Sequence, residues 1–170
     1  VSMVVSLAIC NALQIFNVPQ LSVKWPNDIL SAKQKICGIL IENIVKSSKL
    51  QGSVIGFGLN VNQKYFRDLP QASSMSLLTG ILFSKEEVLS EILKQLEIYF
   101  ELLASEKFSE IKTQYENLLF RKDKPSTFKI TDASTFSGII QGVTKKGKLK
   151  VWTEDEIIKT FDLKDLTLLY

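Results

Sequence analysis

The chain has 170 residues, of which 45% are hydrophobic, and its formal net charge is +3. This length and composition suit one ordinary domain, or one domain with a small second unit, and argue against disorder. The absence of histidine excludes Ser-His-Asp and Cys-His nucleophile systems and any histidine-ligated zinc site. The weakly basic charge permits an anionic ligand without requiring a nucleic acid.

The first 16 residues are strongly apolar, but they are short for a membrane span and lack the basic flank and cleavage site of a signal peptide. They predict a buried helix and no membrane association. Because Val1 already stands at the start of this helix, we expect a piece of a longer protein. The two cysteines, Cys10 and Cys37, have no metal-ligand spacing and are expected to be buried free thiols in the reducing cytoplasm.

Three strands are predicted around the segment KWPNDIL. Residues 21–25 alternate in polarity and indicate a strand, residues 26–28 a turn, and residues 31–35 a second polar turn. Continuous apolar runs at 36–41 and 54–61 predict strands that are covered on both faces. Since these segments are close in sequence, we expect all three strands to share one sheet.

Two amphipathic helices are predicted next. Ser84 and Glu87 form an S-x-x-E capping box at the start of the first helix. Its predicted apolar stripe consists of Leu89, Leu93, Leu96, Phe100 and Leu103. The second helix is predicted from about Lys107 to Leu119. We interpret both stripes as packing surfaces without a cofactor role.

From Arg121 onward, the sequence predicts a small all-β unit. Short β-type runs cover residues 126–131, 136–143, 148–153 and 157–161, with a turn signal at Lys146-Gly147. A unit of this size is too small to be stable alone, so we expect it to pack against the first domain. The predicted domains are therefore residues 1–122 and residues 123–170.

Polar residues and glycines collect where the first three predicted strands begin and end. They are Lys24, Asn27 and Asp28, then Lys35 and Gly38, and finally Gly56, Gly58 and Asn60. Glycines inside a strand mark the close approach of a ligand or another backbone. Lys35 places a positive charge beside them, and Asp28 offers an oxygen ligand to hydrated Mg²⁺. The amides of Asn27 and Asn60 suit a purine edge, so the set predicts a site for a nucleotide with a phosphate.

Each of these residues also has a plain structural reading. A single lysine is most often solvated, and Asn or Asp often simply forms a turn. The pair Gly56-x-Gly58 lacks the third glycine of a dinucleotide fingerprint. Only the joint occurrence of these residues favours a binding site.

The runs VKWPNDIL, KICGILIEN and VIGFGLNVN, in this order and spacing, resemble the biotin–protein ligases (biotin–[acetyl-CoA carboxylase] ligases). The family shows K-W-P-N-D, a K-x-x-G-I-L-x-E segment and a G-x-G-x-N strand. They match Lys24 to Asp28, Lys35 to Glu42 and Gly56 to Asn60. The closing run FSGIIQGVTKKGKLKV also resembles the C-terminal Src-homology-3-like barrel of that family, so the likeness extends over nearly the whole chain.

The resemblance implies an α+β fold, a mixed β-sheet backed by helices and followed by a small Src-homology-3-like β-barrel. It implies that the chain covers the C-terminal part of the catalytic domain and the barrel. The implied activity is the synthesis of biotinyl-adenylate from biotin and ATP with Mg²⁺, and the transfer of biotin to a lysine of a carboxyl-carrier protein. A homodimer built edge to edge through the sheet is a further implication.

The resemblance also implies roles for individual residues. Lys35 contacts the carboxylate and the phosphate, and Asp28 helps to place Mg²⁺ or the incoming lysine. Lys24 contacts the ligand or orients the turn, and Trp25 packs the turn in place. The other ligand-binding residues implied are Asn27 and Asn60 at the base or ribose, Gly38 and Ile39 along biotin, and Gly58.

One part of the family pattern does not occur in these 170 residues. The family carries an arginine- and glycine-rich loop, G-R-G-R-x-G-R, before K-W-P-N-D, and some members carry an N-terminal DNA-binding winged helix; this chain has neither. We therefore expect it to form little or no biotinyl-adenylate unaided. The alternatives are a lipoate–protein ligase-like acyl-adenylating enzyme, a non-enzymatic nucleic-acid-binding module and a structural or regulatory remnant.

Overall fold

The computed structural model describes residues 1–47, 49–131 and 134–170. In chain order its elements are α1 (Ser2–Ile15), β1 (Leu21–Lys24), β2 (Asp28–Ser31), β3 (Gln34–Lys46), β4 (Lys49–Leu59), α2 (Met75–Thr79), α3 (Lys85–Ala104), α4 (Phe108–Asn117), β5 (Pro125–Ile130), β6 (Thr135–Val143), β7 (Leu149–Thr153), β8 (Ile158–Phe161) and β9 (Leu166–Leu169). The predicted α+β class is confirmed. None of the described helices has the length and apolar character needed to cross a membrane.

The first sheet has the order β1-β2-β3-β4, and every strand pair is antiparallel. The mixed sheet that we expected is therefore not what the described residues form. Short turns join successive strands, and a short turn permits only antiparallel pairing. Parallel pairing within the described residues is limited to isolated bridges such as Val23–Leu119 and Lys35–Ala72.

Strands β3 and β4 are longer than predicted and are covered on one face only. Ile39 is buried, whereas Leu40 and Val54 are 66% and 59% exposed. The expected burial on both faces is therefore wrong. The face of Ile39 turns toward the core, while the opposite face carries Gly38, Gly56 and Gly58, which provide no side chains on which a second layer could pack.

Helix α1 is the centre of the hydrophobic core, as its composition predicts. Nine of its 14 residues are buried, and it packs against α3 and α4. Asn11, the polar residue in its middle, donates hydrogen bonds to Leu7 O at 2.9 Å and Tyr99 Oη at 2.8 Å. Cys10 and Cys37 are buried free thiols, and burial raises the pKa of each to about 12.

Helix α3 begins at the predicted cap, where Ser84 Oγ accepts a hydrogen bond from Glu87 N at 3.2 Å. Its buried residues are Val88, Ile92 and Tyr99, while Leu89 and Leu93 of the predicted stripe are exposed. The buried face of the first turns is thus displaced by one position from the predicted stripe. Both sets have helical spacing, and only the packing against α1 decides between them.

The second sheet has the antiparallel order β8-β7-β6-β5-β9 and includes the predicted β runs and one further strand, β9. Its interior holds the buried Phe128, whose ring stacks on Phe136 at 5.3 Å between centroids. The division at residue 122 stays a prediction. Contacts of this sheet with the first domain include an isolated parallel bridge between Lys122 and Ile140.

Glu116 at the end of α4 connects the two parts of the molecule. Its Oε1 accepts a hydrogen bond from Val143 N at 2.8 Å and forms an ion pair with Lys112 Nζ at 3.0 Å. A Cβ at Gly142 would collide with this carboxylate, so the glycine permits the close approach. Burial raises the pKa of Glu116, but these bonds outweigh it, and the pKa lies below the ordinary value of 4.5.

We expect this contact to stabilise the protein at neutral pH and to weaken in acid. A carboxyl whose pKa is lowered by folding stabilises the fold above its unfolded pKa, near 4.5, and loses that contribution as the pH falls through the folded pKa. Glu116→Gln should lower the free energy of unfolding by about 1 kcal/mol at pH 7. Urea unfolding at pH 7 and in acid will measure both effects, with the exposed Glu101→Gln as control. An equal acid loss in wild type and Glu116→Gln contradicts this role.

Candidate functional site

Six of the predicted site residues line one cavity of about 600 Å³ at the open end of the first sheet. They are Lys24, Asp28, Lys35, Gly38, Gly58 and Asn60. The antiparallel meander brings them together because the β1–β2 turn lies beside the start of β3 and the end of β4. Lys24 is opposite Asp28, Asp28 is opposite Gly38, and Gly38 is opposite Gly58.

Asp28 and Lys35 form an ion pair of 2.6 Å inside this cavity. The Lys35 side chain lies over Gly38, where a Cβ would meet Lys35 Cε and Nζ at 3.4 Å. Lys35 is 44% exposed and Asp28 18%, so the lysine remains accessible to a ligand. Gly38 therefore leaves room for the charged pair, which holds the Lys35 ammonium over the strand.

The glycines of β3 and β4 form a flat floor that extends from this ion pair. Gly38 faces Gly58 across the strand pair, and Leu40 faces Gly56, so the four residues share one face of the sheet. A Cβ at Gly58 would meet no atom within 4 Å. An apolar group can therefore lie directly on the backbone of these two strands.

Lys24 is the second cation of the cavity. Its Nζ lies 4.7 Å from the centroid of the Tyr170 ring. Burial lowers the pKa of Lys24, with a further lowering by Lys35 and an opposing contribution from Asp28. The cavity thus contains two lysines and two aspartates, Asp28 and Asp68, and Asp28 is paired with Lys35.

Asn60 lies at the end of β4, at the edge of the cavity. Its Nδ2 donates a hydrogen bond to Ser73 O at 3.0 Å, and its main-chain oxygen accepts one from Met75 N at 2.9 Å. These bonds connect β4 to the segment that precedes α2. The atom that Asn60 can best offer to a ligand is therefore Oδ1.

The segment 66–72 and Tyr170 form walls that sequence analysis did not find. Lys35 N donates to Gln71 O at 2.7 Å, and Ser73 N donates to Lys35 O at 2.9 Å, which places the segment beside the start of β3. Its sequence, FRDLPQA, is typical of an ordinary loop, and no spacing of residues in it indicates a binding site. Tyr170 is remote in sequence, and only the course of β9 brings it to the cavity.

Asn27 and Ile39 lie outside this cavity. Asn27 Nδ2 donates to Ile39 O at 2.8 Å, and Ile39 N donates to Asn27 O at 2.9 Å. Both residues line a different cavity of about 400 Å³ on the other side of the turn. The reciprocal bonds attach the turn to β3, so Asn27 supports the position of the turn and does not line the cavity that holds Lys35.

Trp25 has the packing position that was expected of it. The side chain is buried, and its Nε1 donates a hydrogen bond to Gly147 O at 2.9 Å. Gly147 belongs to the predicted Lys146-Gly147 turn between β6 and β7. The second sheet therefore contacts the KWPND turn at its centre.

A magnesium ion would find few protein ligands here. No group of three or more Cys, Asp or Glu side chains with metal-binding geometry occurs within residues 1–47, 49–131 and 134–170. Asp28 and Asp68 both line the cavity. Mg²⁺ is usually held by one or two carboxylates together with substrate phosphates. The donor set fits an ion that arrives with a nucleotide, and it does not fit an ion held by the protein alone.

Comparison with known proteins agrees with this geometry. The model of the biotin/lipoate A/B protein ligase family matches residues 1–60, which include Lys24, Asp28, Lys35, Gly38 and Gly58. The chain is 27% identical over 160 residues to the bifunctional ligase/repressor BirA of Escherichia coli. This match covers 93% of the chain but 49% of BirA, so the chain spans about half the length of that relative.

Solved structures show the same fold. An apo structure of the biotin protein ligase from Aquifex aeolicus superposes with a TM-score of 0.81 at 26% identity, over 99% of this chain and 73% of that one. The same enzyme in complex with biotin and ATP gives a TM-score of 0.80 at 26% identity, over 99% and 70% of the two chains. The similarity includes the second sheet as well as the first.

Proposed function

We infer a biotin-attaching function from the similarity of this chain to the biotin/lipoate A/B protein ligases. The proposed reaction has two steps. A carboxylate oxygen of biotin attacks the α-phosphorus of ATP, and pyrophosphate leaves; the amine of an acceptor lysine then attacks the acyl carbon, and AMP leaves. The observation that carries this proposal is the meeting of Lys24, Lys35, Gly38 and Gly58 in one cavity.

The two ends of this cavity suit the two ends of biotinyl-adenylate. Gly38 and Gly58 line the cavity, and Gly56 and Leu40 continue the same face of the sheet beyond it, so this face offers an apolar surface for the bicyclic ring and aliphatic chain of biotin. The lysines at its end suit the carboxylate and the phosphate. A reaction between two anions needs positive charge where they meet, because their mutual repulsion opposes the approach.

Lys35 is the residue to which we assign that charge. The ion pair with Asp28 at 2.6 Å holds its ammonium beside Gly38, so the group is placed before the ligand arrives. Negative charge that develops on the phosphate in the transition state is then stabilised without reorganisation. Lys24 supplies a second positive charge for the phosphates.

Mg²⁺ fits this proposal as a companion of the nucleotide. When bound, it would neutralise phosphate charge, with Asp28 as the nearest proposed ligand and Asp68 in the same cavity. The pairing of Asp28 with Lys35 gives this carboxylate a second role in orienting the lysine. An Asp28→Asn variant removes both roles at once.

The remaining predicted ligand contacts divide into direct and indirect ones. We propose that Asn60 contacts the ribose or base through Oδ1, and that the segment 66–72 closes the nucleotide side of the cavity. Asn27 acts indirectly, through its bonds to Ile39, and so supports the strand against which biotin lies.

The acceptor is a lysine of a carboxyl-carrier domain, and a homodimer through the sheet edge is a further proposal. Two buried free thiols fit a cytoplasmic protein.

We propose that the 170-residue chain alone forms little or no biotinyl-adenylate, because the arginine- and glycine-rich loop is absent from it. Biotin-dependent ATP–pyrophosphate exchange with Mg²⁺ tests this. The chain is compared with a fusion that carries a loop segment of the family pattern G-R-G-R-x-G-R before Val1. Exchange by the fusion alone is the expected result. Robust exchange by the chain alone would contradict the need for the loop.

The second candidate is a lipoate–protein ligase-like enzyme, since the matched family model covers both classes. We expect the fusion to use biotin and to reject lipoate. Exchange that depends on lipoate and not on biotin would favour the second candidate. Salt-dependent binding of DNA or RNA, with no exchange from either acid, would instead favour a nucleic-acid-binding module.

A further inference from the structure

Tyr170 reaches the cavity from the second sheet, and three elements hold it there. Strand β9 pairs with β5, with Leu169 opposite Thr127. The Tyr170 ring contacts Phe120 edge-on at 5.1 Å between centroids. Its main-chain oxygen accepts a hydrogen bond from Gln71 Nε2 at 2.9 Å. The Tyr170 ring is thus placed by its edge contact with Phe120 and by the pairing of the strand that precedes it.

The Lys24 ammonium contacts the Tyr170 ring and not a carboxylate. The ion pairs among the described residues include Lys35 with Asp28, and none of them includes Lys24. The Lys24 ammonium instead lies 4.7 Å from the centroid of the Tyr170 ring. A cation over an aromatic face is attracted by the ring quadrupole but keeps its full charge.

Without the Tyr170 ring, the Lys24 side chain would have a second position open to it, beside Asp28. Asp28 attracts Lys24 and is directly opposite it in the β1–β2 pair. A flexible lysine without the ring could lean toward Asp28 and compete with Lys35 for it. The cavity would then present less positive charge, and the Lys35 ammonium would lose its fixed position.

We infer that Tyr170 is a positioning residue, which keeps the Lys24 ammonium unpaired within the cavity and thereby raises the affinity for the phosphates of the nucleotide. This inference rests on the proposed function. It assigns the second sheet a direct part in the site, because β9 delivers the ring. The gain is one of preorganisation: the lysine is already ordered when the anion arrives, so less freedom is lost on binding.

A double-mutant cycle tests the inference. Binding of MgATP and of inorganic tripolyphosphate to the chain is measured by calorimetry for wild type, Tyr170→Leu, Tyr170→Phe, Lys24→Met and the double variant Tyr170→Leu/Lys24→Met. We expect Tyr170→Leu to weaken binding of both probes about threefold to tenfold. Tyr170→Phe keeps the ring and should stay within about twofold. In the Lys24→Met background, Tyr170→Leu should have no further effect, which a merely structural role would not produce.

A second measurement remains informative even if Tyr170→Leu fails to fold. NMR spectra are recorded on the ligand-free wild type and on ligand-free Tyr170→Phe, and the side-chain protons of Lys24 are assigned by comparison with Lys24→Arg. In both proteins the aromatic ring at position 170 should shift these protons upfield. The inference is overturned if this shift is absent, or if Tyr170→Leu weakens binding equally with and without Lys24. Binding of tripolyphosphate with no preference for MgATP would count against the proposed function while leaving the role of Tyr170 supported.

Discussion

Lys35→Met is expected to lower the rate of biotin-dependent ATP–pyrophosphate exchange by about 30-fold to 1,000-fold, which corresponds to about 2–4 kcal/mol of transition-state stabilisation. The substitution removes the ammonium over Gly38 and leaves Asp28 without its partner at 2.6 Å. An unpaired carboxylate then repels the phosphate that the lysine attracted. The two effects have the same sign, so we expect this variant to show the largest loss of activity.

Lys33→Met is the matched control, because Lys33 undergoes the same change of charge two residues away and its side chain is exposed outside the cavity. Exchange is measured on the fusion that carries the loop segment, and binding of MgATP on the chain itself. Lys33→Met should resemble wild type in both assays. Equal losses in the two variants would show that net charge matters and that the position of Lys35 does not.

Gly58→Val is expected to block the cavity while leaving the fold intact. A Cβ at Gly58 would meet no atom within 4 Å, and valine is favoured in strands, so the free energy of unfolding should not fall. The side chain would stand on the floor where we place biotin. Filling a well-fitted site with extra methyl groups costs about 1–3 kcal/mol, so affinity for a non-hydrolysable biotinyl-adenylate analogue should fall about fivefold to 150-fold.

Gly52→Val provides the control on the same strand. A Cβ at Gly52 would likewise meet no atom within 4 Å, and this glycine lies on the same face of β4 but away from the cavity. Both variants are compared by urea unfolding and by calorimetry with the analogue. We expect equal stabilities and a loss of affinity only for Gly58→Val. Loss of affinity in both, or in neither, would remove the glycine floor from the proposed site.

The KWPND turn shows how far the residue types alone could identify the site. Lys24, Asp28 and Lys35 were predicted as one charged cluster, and the structure brings them together with Gly38 and Gly58. A lysine and an aspartate that are separated by one tight turn of an antiparallel sheet must lie close, so their proximity follows from local geometry. Asn27 was assigned to the ligand from its side-chain chemistry alone. Its bonds to Ile39 depend on the path of β3, which that chemistry does not reveal.

The two faces of β3 and β4 could not be distinguished from their apolar runs. A run such as ICGILI indicates a strand, but which residues are covered depends on which side receives helices α1 and α3. The structure buries Ile39 and exposes Leu40. The same limit applies to α3, where two sets of residues have helical spacing and the packing selects Val88 and Ile92.

The amino-acid sequence by itself determined the buried first helix, the run of short strands at the end and the identity of the charged residues at the KWPND turn. These features depend on local spacing and on chemistry within one or two neighbouring segments. Only the tertiary structure decided which face of β3 and β4 is buried, that residues 66–72 form a wall of the cavity and that the Lys24 ammonium lies over the Tyr170 ring. The contact between residues 24 and 170 joins the two parts of the molecule, and no periodicity along the chain encodes it.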